Sequence, residues 1–222
     1  MANKIDKARI KENAARIRRE GYTPVVPDLQ MGFVHNNVDC IGCRACEIAC
    51  KDKNGLEAGP RFRRVQYIEG GVFPNVFAFK INMSCNHCAE PACLPACPTG
   101  AIWKRQDNGV VDIDSTLCIG CRKCEAACPF GAPQFDPSEN VVKKCNMCID
   151  ELEAGRKPYC VSACMMRVLD VGPIDQIDTG SYQTKAVGPN DDLVRQVRTM
   201  ADPELTNPSI RFVPHSKGRV DD

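Results

Sequence analysis

The stretch CIGCRACEIAC, Cys40 to Cys50, returns as CIGCRKCEAAC, Cys118 to Cys128, with nine of eleven positions identical. Two variants are interleaved with these runs. Cys85-Asn86-His87-Cys88 is followed after four residues by Cys93-Leu94-Pro95-Ala96-Cys97. Cys145-Asn146-Met147-Cys148 is followed after eleven by Cys160-Val161-Ser162-Ala163-Cys164. Both variants read C-N-x-C, then C-x-x-A-C. The order run, variant, run, variant is that of an internal duplication, and four groups of four account for all 16 cysteines of the 222-residue chain.

Three chemistries use cysteine at this density. Disulfide scaffolds belong to small secreted domains, usually below about 100 residues, and cysteines two residues apart strain a bridge. Structural zinc takes two CxxC-like pairs across a longer linker. Cys145, Cys148, Cys160 and Cys164 suit that pattern, but four cysteines within eleven residues do not. The spacing C-x2-C-x2-C-x3-C is the bacterial ferredoxin run for a [4Fe–4S] cluster, whose fourth cysteine ligates the neighbouring cluster. Gly42 and Gly120, inside the first CxxC of each run, allow the backbone to turn closely. The expectation is four [4Fe–4S] clusters as cofactors, held by the sixteen cysteines as metal ligands. Each oxidised core contributing about +2 against four thiolates would turn the formal charge of +1 into about −7. Arg44, Lys51, Arg122, Lys123, Lys143 and Lys144 lie beside ligands and either offset that charge or are ordinary solvated residues.

The expected fold is α+β, a duplicated bacterial ferredoxin-like fold of two 2×[4Fe–4S] units, with short strands and helices and little regular secondary structure. Aromatics make up only 6% of the chain, so side-chain packing alone would leave a thin core. Residues 1–36 read as a basic N-terminal extension. Lys4, Lys7, Arg9, Lys11, Arg16, Arg18 and Arg19 against Asp6, Glu12 and Glu20 give residues 1–20 a local charge of +4. Arg18-Arg19 runs into Glu20, Gly21, Tyr22 and Pro24 rather than an apolar segment, so no export leader is expected. Ile10, Ala14 and Ile17 at helical spacing suggest either a docking helix or a solvated arm. Residues 37–175 read as the four-cluster core. It contains an inserted hairpin around 60–82, with strands Arg63–Ile68 and Val76–Ile81 about Gly70-Gly71, and a short strand Gly109–Asp114 before Cys118. Residues 176–222, proline-rich and without cysteine, read as an extended tail that docks on a partner.

No uncharged apolar stretch reaches the roughly 18–20 residues of a membrane span, so no transmembrane segment is expected. There is no phosphate loop, nucleotide fingerprint or nucleophile–base pair, and no nucleic-acid partner is expected. No catalytic residue is expected. His87, between two cysteines, is placed to influence a cluster through hydrogen bonding, and Trp103 reads as packing.

The stretch SCNHCAEPACLPACPTGAIWKRQDNGVVDIDSTLCIGCRKCEAACPFGAPQFD closely resembles the four-cluster ferredoxin subunits of the molybdopterin oxidoreductase superfamily, especially dimethyl sulfoxide reductase iron–sulfur subunits. The resemblance implies a non-catalytic electron-transfer subunit. It would relay electrons between a quinol-oxidising membrane anchor, or another redox partner, and a large catalytic subunit with a molybdenum or tungsten bis-pterin site. It also implies four ligand sets: Cys40, Cys43, Cys46 and Cys164; Cys50, Cys145, Cys148 and Cys160; Cys85, Cys88, Cys93 and Cys128; Cys97, Cys118, Cys121 and Cys124. Met165-Met166 after Cys164 departs from the proline usual in these subunits. The alternative kept open is an electron-transfer protein of a hydrogenase or formate-hydrogen system.

Overall fold

Phe33 and Val34 are wholly buried in β1 (Met31–Asn36), where five of six residues are inaccessible. A strand without polar alternation is one covered on both faces. In the computed structural model, which describes residues 6–20 and 25–220, β1 is the middle of a three-stranded sheet. Lys4, Gly21, Tyr22 and Pro24 of the basic stretch lie outside the described residues. On one side β1 pairs antiparallel with β8 (Leu169–Pro173), from Met31 opposite Pro173 to His35 opposite Leu169. On the other it pairs parallel with β9 (Ile210–Val213), from Phe33 opposite Ile210 to Asn36 opposite Val213.

The remaining elements are short. α1 (Lys7–Glu20) precedes β1, and α2 (Ala45–Lys53) follows the first cysteine pair. Three hairpins come next: β2 (Arg64–Val72) with β3 (Asn75–Met83), β4 (Ile102–Lys104) with β5 (Val111–Ile113), and β6 (Gln134–Asp136) with β7 (Val141–Lys143). α3 (Lys123–Ala127) lies between the last two hairpins, while α4 (Ile149–Glu153), α5 (Tyr159–Ser162) and α6 (Ile174–Asp178) flank the final cysteines and β8. This is a mixed α and β fold of few helices and small sheets.

Among the described residues, two of the three buried clusters are built partly of cysteine. One joins Phe33, Ile81, Leu169 and Phe212 to Cys46, Cys50, Cys85, Cys145, Cys160 and Cys164. The other joins Leu94, Ile102, Leu117 and Val141 to Cys93, Cys97, Cys118 and Cys124. The N-terminal helix lies on the second: Ile10 packs against it, and Arg9 Nη1 meets Asp114 Oδ2 at 3.0 Å.

Two local readings are corrected. The inserted hairpin turns at Phe73-Pro74, not at Gly70-Gly71, which pair inside the ladder with Phe77 and Val76. A Cβ on Gly71 would sit 2.1 Å from the Asn75 carbonyl oxygen, so that position is glycine because the partner strand is close. The tail, read as having little core of its own, places Val197, Ile210 and Phe212 fully buried in the first cluster. It does so by completing the sheet around β1, a long-range pairing that local composition does not encode.

Candidate metal centres

Each of the four CxxC loops bends at the same place. The third residue has positive φ in all of them: Gly42 at 71°, His87 at 43°, Gly120 at 67° and Met147 at 62°. In the two full runs the arginine after the second cysteine repeats the bend, Arg44 at 61° and Arg122 at 59°. Such left-handed residues curl successive N–H groups toward one concavity, the geometry of an anion-binding nest. Helices start at once, α2 after Arg44 and α3 after Arg122. In α2, Cys46 and Cys50 are four residues apart and therefore neighbours on one face.

The electrostatic neighbours of each thiol describe how the cysteines gather. Cys40 is pushed up by burial and by the charges of Cys164 and Cys43; Cys46 is pushed up by burial and by Cys164 and Cys40. Cys50 is driven far up by burial, then by Cys145, Cys160 and Cys148. Cys88 is raised to about 12 by burial, with Cys85 and Cys128 beside it, and Cys93 feels Cys85, Cys128 and Cys88. Cys124 is raised to about 12 by burial together with Cys97, Cys118 and Cys121. The fold thus gathers the sixteen free cysteines near one another, with Cys46 also beside Cys160 and Cys145 beside Cys85. Only Cys43 and Cys121 are exposed; eleven are buried.

Buried thiols held this high stay protonated unless a cation draws the proton off, and a coordinated metal deprotonates its thiol outright. Two groups of four ring cavities. One is lined by Cys85, Cys88, Cys93 and Cys128, the other by Cys97, Cys118, Cys121 and Cys124. Among the described residues no group of three or more His, Cys, Asp or Glu is arranged for a single metal ion. At the first cavity the side chain of Asn86 has neither donor nor acceptor satisfied. Buried polar atoms are normally paired, so an orphan facing a ring of sulfurs suits a polar inorganic group between them. These residues fit [4Fe–4S] clusters.

Donors to sulfur are built into the loops. Ala101 N–H donates to Cys97 Sγ at 3.3 Å and Ala132 N–H to Cys128 Sγ at 3.5 Å, each returned by a Cys-Pro-x-Gly-Ala turn. Val142 N–H reaches Cys118 Sγ and Met147 N–H reaches Cys145 Sγ, both at 3.3 Å. Asn82 Nδ2 donates to Cys46 Sγ at 3.1 Å. The repeated CPTGA and CPFGA at 97–101 and 128–132 were a legible signal for two of these donors.

Of the six basic residues beside ligands, three are satisfied elsewhere. Arg122 pairs with Glu125 at 2.6 Å, Lys143 with Asp136 at 2.9 Å, and Lys51 donates to the carbonyls of Glu57 and Pro60. Lys144 alone of the six is buried. Sequence reading passed over Arg63, which is 1% exposed, and no pattern in its neighbours marked it. His87 is fully buried, accepts from Val111 N–H through Nδ1 at 3.1 Å, and is held well below the usual imidazole range by burial and then by Lys144 and Arg63. With Nδ1 accepting, Nε2 is left as the N–H donor and has no acceptor among the described residues. Trp103, read as packing, is 44% exposed.

Residues 76–174 match the family model described as a 4Fe-4S dicluster domain. The protein is similar to a chain of the anaerobic dimethyl sulfoxide reductase of Escherichia coli K12, with 39% identity over 198 residues, 86% of this sequence and 91% of that one. It is similar also to a subunit of the sulfite dehydrogenase of Allochromatium vinosum, 43% identical over 68% of this sequence and 71% of that one. A third relative is the thiosulfate reductase electron transfer subunit of Salmonella typhi, 40% identical over 66% and 78%.

Proposed function

Because this protein belongs to the family of iron–sulfur electron-transfer subunits found in dimethyl sulfoxide reductase and its relatives, we propose that it holds four [4Fe–4S] clusters and passes electrons to or from a molybdenum or tungsten catalytic subunit. The ligand sets are Cys40, Cys43, Cys46 and Cys164; Cys50, Cys145, Cys148 and Cys160; Cys85, Cys88, Cys93 and Cys128; and Cys97, Cys118, Cys121 and Cys124. A cluster with four cysteine ligands supplies one-electron chemistry and leaves no iron open to substrate, so the protein itself is non-catalytic.

The carrying observation is the gathering of all sixteen cysteines near one another, with surface access at two of the sets. Cys43 opens the first set and Cys121 the fourth. Between them, Cys46 lies within electrostatic reach of Cys160, and Cys85 of Cys145, which supports reading the first three sets as neighbours. α3 carries Cys124 of the fourth set, and Cys128 of the third follows at its end. The two runs with their variants read as a duplicated two-cluster ferredoxin unit across residues 37–175, with the 1–36 extension and the 176–222 tail framing it. Exposed Ile41 and Ile48 near one end and Ile119 near the other are suited to contact with redox partners. One such partner is the large catalytic subunit, and a membrane anchor or other redox subunit is the second. Among the described residues no helix is long and apolar enough to cross a membrane.

Cys121→Ser in the purified complex tests the assignment. It should alter or remove one cluster and cut electron flow through the complex, while the partner's activity with an artificial dye is retained. Full iron with unchanged flow would refute the fourth set.

A further inference from the structure

We propose that Arg63 and Lys144 are buried counter-cations, each wedged between two neighbouring cysteine sets, and that they raise the reduction potentials of the clusters on either side. The inference rests on the reading that those sets hold clusters.

Arg63 immediately precedes β2 of the inserted hairpin yet is 1% exposed. Its guanidinium carbon lies 4.2 Å from the centre of the Phe33 ring, and Nη1 donates to Asn82 Oδ1 at 3.0 Å. The same Asn82 donates to Cys46 Sγ, so one side chain links the cation to the sulfur. Among the described residues Nη2 has no hydrogen-bond partner and no carboxylate forms an ion pair with Arg63. The charges that act most on it are those of Cys160, Cys145, Cys46 and Cys50: one from the first set, three from the second.

Lys144 repeats the arrangement one step along. It is 5% exposed and lines the cavity ringed by the third set. Nζ donates to the Cys145 carbonyl at 2.9 Å and to the Val111 carbonyl, again with no ion pair among the described residues. Cys85 acts on it first, then Asp112, with Cys93 and Cys145 following, so it faces the third set and a member of the second.

An unpaired buried cation is strongly disfavoured, and natural chains keep one only where an anion compensates it. The anions here are the thiolates and the net negative clusters they would bind, with Asp112 beside Lys144 as well. Reduction adds one electron to a cluster, so a fixed neighbouring cation stabilises the reduced form more than the oxidised form and raises the potential. The fourth set has no such residue among those described: its cavity is lined by Arg122, which is exposed and paired with Glu125.

The test is an EPR-monitored potentiometric titration of the anaerobically purified complex carrying R63Q, R63K, K144Q or K144R. R63Q should lower the first and second couples by at least about tenfold in the oxidised-to-reduced ratio at fixed poise, about 59 mV for one electron. K144Q should do the same to the second and third, and the fourth couple should stay put in every variant. R63K and K144R, which keep the charge, should stay near the native values. Loaded R63Q and K144Q with couples within about threefold of native would overturn the proposal. Should the neutral variants shed iron, retention in R63K and K144R supports the charge role and loss in all four refutes it. A native complex without iron–sulfur signals would instead refute the underlying cluster reading.

Discussion

At the residue scale the loop geometry makes the sharpest demand on Gly42 and Gly120. Gly120 has φ 67°, and a Cβ there would lie 2.6 Å from the Asn140 carbonyl oxygen. G120A therefore meets both a left-handed penalty of about 1–2 kcal/mol and a contact with backbone that cannot swing away. Gly155 provides the control, with φ 71° and nothing within 4 Å of its Cβ position. G155A should cost the dihedral penalty alone and keep all its iron, whereas G120A should lose more stability and lose iron; urea unfolding and iron assay measure both. Equal effects would remove the loop's special role. The glycines and cysteines were legible because each residue type has one chemical reason to recur at that spacing. The repeat did not reveal that His87 and Met147 adopt the same left-handed bend, since side chains ordinarily avoid it. Arg63 was invisible for a different reason: its value lies in what surrounds it in space, and nothing at 60–66 announces that a cation there will be covered.

At the scale of elements, α2 carries Cys46 and Cys50 on one helical face, and the proposal assigns them to two different sets. Deleting Ala49 would rotate Cys50 by about 100° relative to Cys46. It should cost iron at both sets rather than one, read as loss of about eight irons per chain; loss of four would place the two cysteines in a common set. The tail poses the other question. Truncation after Thr206 removes β9 with fully buried Ile210 and Phe212, and F212A alone should cost about 3–5 kcal/mol. Both variants should unfold more readily before any partner is added. Unchanged stability with lost partner binding would make the tail a docking arm. The paired strands of the inserted hairpin were readable from β-branched and aromatic alternation, but its turn was not. Gly70-Gly71 is the stronger local turn signal, and the close approach of Asn75 assigned those glycines another duty. β9 was missed because parallel pairing with a strand some 175 residues earlier leaves no local trace beyond a short apolar run.

For the whole molecule, cysteine supplies much of what an ordinary domain would provide with Leu and Phe. Among the described residues three of the four sheets have two strands, and in two of those each strand has three residues; pairs that small are marginal in water. Metal binding is then folding free energy. Anaerobic chelation of iron should collapse the cooperative thermal transition of the protein, followed by near-ultraviolet circular dichroism; an apo form with native tertiary signals would show that packing suffices. Ferredoxin character was legible because it rests on ligand count and spacing, while the closing of the sheet by the tail had to be seen. The most direct measurement of the central claim is iron and acid-labile sulfide per chain in the anaerobically purified complex. The account predicts about 16 of each, all in four-iron clusters. About half that iron, or zinc in its place, would contradict it.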